Sequence, residues 1–333
     1  MTIEKLRVSV GSASVLGLGS LPQFKNPPTT CYVMTFKEGH CLANCGFCPQ
    51  ARSSKSSIEK LSRVTWPTFP FKDFLTRLKI IHYSKKFKRI CIQTLNYPEN
   101  FRDLIEIINE IRNYTDIPIS VAIPPMSEDK LRELKNIGVQ RVGIALDGAT
   151  SEIFDKIKGS YVGGPYRWEE HFQKLKEAIK IFSPGFVSTH IIIGFEETEK
   201  EVIEIIQKLH NLKILISFFA FTPIEGTKFE NLQPPILKSF RKLQLGRFLI
   251  INNKIKSKDF TFNNKGEIIN INISRNTLNM IINDTDAFLT SGCPGCNRPF
   301  YTSKPSGPIY NYPRELTEKE KIEISELLKY FVN

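Results

Sequence analysis

Along the chain, short runs dense in apolar and β-branched residues alternate with longer stretches whose apolar positions recur at helical spacing. The runs at 30–36, 89–95, 117–123, 141–146, 186–193 and 214–221 predict strands. The stretches at 71–83, 101–114, 128–136, 169–182, 197–209 and 236–252 predict amphipathic helices. Thr198-x-x-Glu201 is a capping box ahead of Val202, Ile205, Ile206 and Leu209, and Pro234-Pro235 precede the last stretch, where proline suits a first turn. Six β–α units across 31–252 average about 37 residues, close to the ~30 of a βαβ unit with its loops. The strands are nearly continuous apolar runs, which implies a parallel sheet covered on both faces. The fold class is therefore α/β. A right-handed, partial (β/α)6 TIM-like barrel is the economical closure, with functional loops at the strand C-termini. A doubly wound open sheet is the structural alternative.

The flanks differ. Residues 1–29 predict an N-terminal extension, with a helix-like piece around 3–7, a Gly/Ser-rich stretch and a stop at Pro27-Pro28. The barrel would occupy 30–252. Residues 253–333 predict a C-terminal extension: a short sheet from 261–262 and 267–273, a helix over 276–283, and a wrapping loop rich in proline with Tyr301, Tyr310 and Tyr312. A terminal helix starts at the capping box Thr317-x-x-Glu320 and packs through Ile324, Leu327, Leu328 and Phe331.

Composition narrows the class. With 41% hydrophobic residues and 24 Phe in 333 residues, the chain can build a large core. Its longest apolar run, 214–221, falls far short of the ~20 residues that span a bilayer, and the N-terminus lacks a signal-peptide pattern, so a cytoplasmic protein without a membrane partner is expected. A net charge of +12 favours an acidic partner. No basic stretch is interleaved with aromatics, so a nucleic-acid partner is not expected. Seven cysteines suit a reducing compartment better than a disulfide framework.

The cysteines carry the candidate chemistry. Cys41, Cys45 and Cys48 lie on one short loop after the first predicted strand. Three thiolates can hold three irons of a cubane and leave the fourth open, whereas a structural zinc wants four ligands. Cys293-Pro-Gly-Cys296 is a second pair whose turn directs both thiolates at one centre. With Cys31 and Cys91 it makes four, the number a second [4Fe–4S] cluster requires. Cys31 and Cys91 fall on adjacent strands ~4.8 Å apart and would sit side by side. The alternative is that Cys31 and Cys91 are buried small hydrophobes and Cys293/Cys296 bind zinc with ligands from elsewhere. Asp147 ends the fourth strand, where a carboxylate suits ribose hydroxyls or an ordinary turn. The five histidines form no ligand-spaced pair.

The loop C-x3-C-x2-C with Phe47 before its last cysteine resembles the signature of the radical S-adenosylmethionine (SAM) superfamily. The resemblance implies a partial barrel, a [4Fe–4S] cluster on Cys41, Cys45 and Cys48, and SAM chelating the open iron through its amino and carboxylate groups. It further implies that the strand containing Ile192 and Gly194 holds the adenine, and that Gln93 stands where many members carry a Gly-Gly-Glu stretch for the SAM amino group. Arg167 lies near the place where biotin synthases carry an arginine for the SAM carboxylate, or is a solvated helix-start residue. Cys-Gly-Phe-Cys-Pro-Gln, Ile-Ile-Gly-Phe-Glu-Glu-Thr and the position of Cys91 resemble biotin synthases over about residues 30–230, although Ser120 and Ser188 stand near places where those enzymes use cysteine. The N-terminal C-x4-C-x5-C motif of single-chain lipoyl synthases is missing. Cys-Pro-Gly-Cys-Asn-Arg-Pro-Phe-Tyr followed by Gly-Pro-Ile-Tyr-Asn-Tyr-Pro resembles the two-component lipoyl synthases of archaea and some bacteria. This implies a sulfur-insertion enzyme with a second, auxiliary [4Fe–4S] cluster. Its partners would be an octanoylated lipoyl carrier protein, a companion radical SAM subunit and a ferredoxin-like reductant.

Overall fold

A computed structural model describes residues 3–82, 85–304 and 306–333. The chain opens with β1 (Lys5–Val8), α1 (Val10–Leu16), β2 (Thr30–Thr35), β3 (Lys60–Leu61), β4 (Val64–Thr65), β5 (Thr68–Pro70) and α2 (Phe71–His82). There follow β6 (Arg89–Gln93), α3 (Asn100–Arg112), β7 (Ile119–Ala122), α4 (Glu128–Asn136), β8 (Val139–Gly143), α5 (Ser151–Lys158) and α6 (Trp168–Phe182). The alternation ends with β9 (Val187–Ile193), α7 (Glu199–Asn211), β10 (Leu215–Ala220) and α8 (Leu237–Ile251). The remainder holds β11 (Phe260–Phe262), β12 (Ile268–Ile271), α9 (Arg275–Asp284) and α10 (Glu318–Leu328). Tyr83, the end of the expected 71–83 helix, lies outside the described residues.

The six predicted strands form one parallel array in the order β10-β9-β8-β7-β6-β2. Sequence neighbours are spatial neighbours throughout, without the reversal of a doubly wound sheet, so the fold is the partial barrel. Thr198 caps α7 and Thr317 caps α10 through complete capping boxes, each tying the chain entry to the first helical turn. Along β9, Val187, Thr189, Ile191 and Ile193 are buried towards the helices, while Ser188, His190 and Ile192 are half-buried on the inner face. Strand β9 thus alternates, because its inner face borders the barrel cavity while its outer face packs on the helices.

Two expectations fail on the N-terminal side, and the fourth unit gains a helix. Residues around 3–7 form a strand, β1, which pairs antiparallel with both β2 and β5 and buries Leu6 and Val8. The Gly/Ser-rich stretch after it is the helix α1, whose small residues let it lie close to β2: Ser12 Oγ accepts the Tyr32 N–H at 2.8 Å. Helix α5 occupies a stretch to which the sequence pattern assigned no element. Its signal was present in the Thr150 cap followed by Ile153, Phe154 and Ile157 at helical spacing.

The C-terminal segment closes what six strands leave open. Ser291 Oγ accepts the Phe218 N–H at 2.8 Å, and Asn311 Nδ2 donates to the Phe218 carbonyl at 3.1 Å, so polar groups along β10 are bonded to this segment. Ser62 and Arg63, in the β3–β4 turn, donate to the carbonyls of Tyr301 and Phe300 at 2.9 and 2.7 Å. Thr222, just past β10, donates to the Thr302 carbonyl at 3.3 Å. Residues 300–302 therefore strap the two sides of the partial barrel together. A buried ion pair, Lys242–Glu199 at 2.6 Å, fixes α8 to α7, and Glu199 also accepts the Ile268 N–H of β12 at 2.5 Å.

Candidate active site

The cysteine loop leaves the C-terminal end of β2, as the fold requires of a functional loop. It is folded by its own backbone: Cys41 N–H donates to Gln50 O at 2.8 Å, Cys48 N–H to Cys45 O at 3.0 Å, and Arg52 N–H to Ala43 O at 2.9 Å. The end of α5 and the segment after it brace the loop, with Gly46 N–H on Ile157 O at 2.8 Å, Asn44 Nδ2 on Val162 O, and Arg52 on Gly163 O at 3.0 Å. The Asn96 N–H after β6 points at Cys41 Sγ, 3.1 Å away. No cysteine is in a disulfide. Burial pushes the Cys45 thiol up to about 12, partly offset by the Lys158 ammonium, and pushes Cys48 higher still with help from Cys45. Such thiols stay protonated unless a cationic group takes them as thiolates. An all-sulfur donor set of three on one loop fits three irons of a cubane.

A cavity of about 250 Å3 runs through the barrel from this loop. Phe47, Cys48, Asp147 and Ile192 line it, and so do Gln93, Cys91, Cys293 and Cys296. Phe47 belongs to an aromatic wall in which its ring lies 5.7 Å from Phe195, itself 4.7 Å from Phe221. Gln93 does not reach towards the loop; its Nε2 donates to Cys91 Sγ at 3.1 Å. Gly194 does not line the cavity. Its φ is +123°, a Cβ there would meet Phe221 and Pro235 at 3.0 Å, and its N–H is taken by Glu197 Oε1 at 2.6 Å. Glycine is needed for that turn and for the close packing of Pro235, not for an approach from within the cavity. Arg167 is exposed at the start of α6.

Cys91, Cys293 and Cys296 converge, and Cys31 does not join them. The register places Cys91 opposite Tyr32, with Cys31 opposite Ile90. Neighbouring residues of a strand face opposite sides, so Cys31 points with Val33 into the layer between sheet and helices, where it is fully buried. The expectation of side-by-side cysteines fails by one residue of register. At the remaining trio, Tyr32 Oη lies 3.0 Å from Cys296 Sγ, where either atom can donate, and accepts the Arg298 N–H at 3.2 Å. Burial and the Cys296 sulfur hold that phenol well above its ordinary range. Burial pushes Cys91 up to about 12 and also raises Cys293, where Arg89, Arg141 and Arg298 pull the other way. Nε of each of these arginines is buried with no hydrogen-bond partner among the described residues. Among the described residues no three His, Cys, Asp or Glu side chains are gathered as a single-ion site.

Sequence reasoning missed a buried charge network beside the loop. Asp147 Oδ2 accepts from Lys158 Nζ at 2.7 Å, and its Oδ1 from His190 Nε2 at 2.9 Å. Burial opposes the Asp147 charge, and the two partners overcome it, so its carboxyl lies well below the usual range. The hint for His190 lay in its place on the inner face of a strand, two residues from Ser188 and Ile192.

Three thiols on the loop that leaves the first strand of a parallel partial barrel fit an iron–sulfur group at the barrel mouth. Residues 39–209, slightly more than half of the chain, match the radical SAM superfamily model, and the chain belongs to that superfamily. It is similar to biotin synthase of Methanococcus aeolicus, 26% identical over 200 residues that make up 60% of this chain and 57% of that one. Biotin synthase of Lysinibacillus sphaericus is 27% identical over 208 residues, 60% of this chain and 58% of the other. The chain thus matches less than two thirds of the length of these relatives. Among solved structures, methylornithine synthase shares the fold with a TM-score of 0.52 at 14% identity over 93% of this chain and 85% of that one. The FeFe-hydrogenase maturase of Carboxydothermus hydrogenoformans does so at 0.51 and 15%, over 88% and 65%. No helix among the described residues is long and apolar enough to cross a membrane.

Proposed function

We propose that the chain is a radical SAM sulfur-insertion enzyme, a lipoyl synthase subunit that attaches sulfur to an octanoyl chain on a lipoyl carrier protein. The observation that carries this is the presence of Cys91, Cys293 and Cys296 in the same cavity as Cys48 and Phe47. Cys41, Cys45 and Cys48 would hold the SAM-binding [4Fe–4S] cluster, and Cys91, Cys293 and Cys296 the auxiliary one, whose remaining position has no cysteine. When bound, these groups supply an electron, a 5′-deoxyadenosyl radical and sulfide. The chain's own residues orient and exclude. Asp147 receives the ribose hydroxyls, Phe47 and Ile192 wall the adenine, and Leu61, Trp66, Val121, Val142 and Tyr301 offer a slender apolar lining to an acyl chain while keeping water out. Gln93 and Tyr32 hold the sulfurs of Cys91 and Cys296. An octanoylated lipoyl carrier protein, a companion radical SAM subunit and a ferredoxin-like reductant are the partners this chemistry needs.

A second reading, sulfur insertion into the sulfur-free precursor of biotin, is favoured by the similarity to biotin synthases. Anaerobic reconstitution with iron and sulfide counting, followed by assays on both substrates, separates the two. About eight irons per chain, and sulfur attached to the octanoyl carrier only, are expected. Cys293→Ala/Cys296→Ala should still cleave SAM to 5′-deoxyadenosine but attach no sulfur. Sulfur transfer by that double variant would refute sulfur insertion at this site, and turnover of the biotin precursor would select the second reading.

A further inference from the structure

We infer that Lys158 and His190 are positioning residues that hold Asp147 as a fixed, ionised acceptor for the vicinal ribose hydroxyls of SAM; this rests on the ribose reading of Asp147 above. Asp147 is unusual for a non-glycine residue in having φ of +63°, and its pose is determined from several directions. Its N–H donates to His190 O at 2.9 Å, and its carbonyl accepts the Ile192 N–H at 2.8 Å. The side chain is held on both oxygens, by Lys158 at 2.7 Å and His190 at 2.9 Å.

The count of donors and acceptors assigns the roles. Lys158 Nζ gives one bond to Asp147 and one to the Ala145 carbonyl at 2.8 Å, and lies over the rings of Tyr166 and Phe154 at 5.0 and 5.4 Å. It is 4% exposed and does not line the cavity, so it acts through Asp147 and not on a ligand directly. A carboxylate has about four lone-pair sites. Lys158 and His190 use one on each oxygen, which leaves one on each for two hydroxyl donors on one edge, as a vicinal diol offers. The His190 side chain is 32% exposed against 5% for Asp147, so the imidazole stands at the cavity face, packed 4.9 Å from the Phe219 ring. The Lys158–Asp147 pair is close to neutral as a unit. At the neighbouring Cys45 the Lys158 ammonium and the Asp147 carboxylate act in opposite directions.

The test measures SAM affinity, not turnover, on anaerobically reconstituted protein matched for iron content, with SAM and with an analogue lacking both ribose hydroxyls. Lys158→Met and His190→Phe should each weaken SAM binding about tenfold, the value of one charge-assisted hydrogen bond. Neither should weaken binding of the analogue, and His190→Gln, which keeps an N–H donor, should restore SAM binding. Equal losses for both ligands would mark a general structural defect and overturn the inference, as would unchanged SAM affinity in His190→Phe. Should Lys158→Met not fold, the His190 pair still decides. Asp147→Asn separates the two levels: if it binds SAM as tightly as the parent, the ribose reading itself falls and takes the inference with it. If it binds weakly while both positioning variants bind normally, only the inference falls.

Discussion

Gly46 stands between Cys45 and Phe47, and a Cβ there would meet Phe229 Cε2 at 2.6 Å, with Cδ2 at 3.1 Å and Cζ at 3.2 Å. The shortest contact is about 0.9 Å inside an ordinary ~3.5 Å carbon–carbon separation. Backbone movement is resisted by the Gly46 N–H bond to Ile157 O at 2.8 Å, so the ring must yield. Phe229 packs 5.6 Å from Phe195, which touches both Phe47 and Phe221, so a shifted ring disturbs the wall that positions the loop. Overpacking of this kind costs about 1–3 kcal/mol. An unfolding entropy of ~2.1 cal/mol/K per residue over 333 residues converts 2 kcal/mol into a fall in melting temperature of about 3 °C. Gly46→Ala should show that fall in an anaerobic thermal melt and retain less iron after desalting, and adding Phe229→Leu should recover part of both. A Gly46→Ala protein with parental melting and iron content, or one that Phe229→Leu fails to relieve, would refute the steric account.

Two other outcomes follow from buried charge and buried thiols. In metal-free protein, Cys45 and Cys91 titrate near 12 against an ordinary 9.0, so the folded state keeps protons that the unfolded chain loses. Their stabilisation is complete below about pH 9 and is lost as pH rises towards 12, at about 1.4 kcal/mol per pH unit for each thiol. Denaturant titrations between pH 8 and 10.5 should show a steeper decline for the parent than for Cys45→Ser/Cys91→Ser, and parallel declines would contradict the assignment. Lys242→Met should destabilise by about 3–5 kcal/mol, because Glu199 is left charged and buried between α7 and β12. Lys242→Met/Glu199→Gln should regain much of that loss in the same titration, and no recovery would remove the ion pair as the cause.

The sequence by itself determined the α/β alternation, because helix and strand periods are local properties. The stretch 128–136 matches α4 in full, and Thr198 and Thr317 mark their helix starts through bonds that span three residues. The loop of Cys41, Cys45 and Cys48 was legible for the same reason, since its three thiols fall within eight residues of one another in the sequence, although distant residues such as Ile157 and Asn96 brace it. Tertiary structure decided what depends on register and distant pairing. Lys5–Val8 is a strand only because β2 and β5 flank it, and four residues hold too few positions to show a period. Cys31 looks equivalent to Cys91 in sequence, yet one residue of offset between β2 and β6 turns it to the other face. Asp147 was visible as a carboxylate at a strand end. Its partners were not, because Lys158 and His190 lie 11 residues and one strand away, and only the barrel brings them within 2.7 and 2.9 Å. Hydrophobic patterning selects which face of each strand is inward, but the register between strands selects which inward side chains meet, and that choice is made by the packing of the whole barrel.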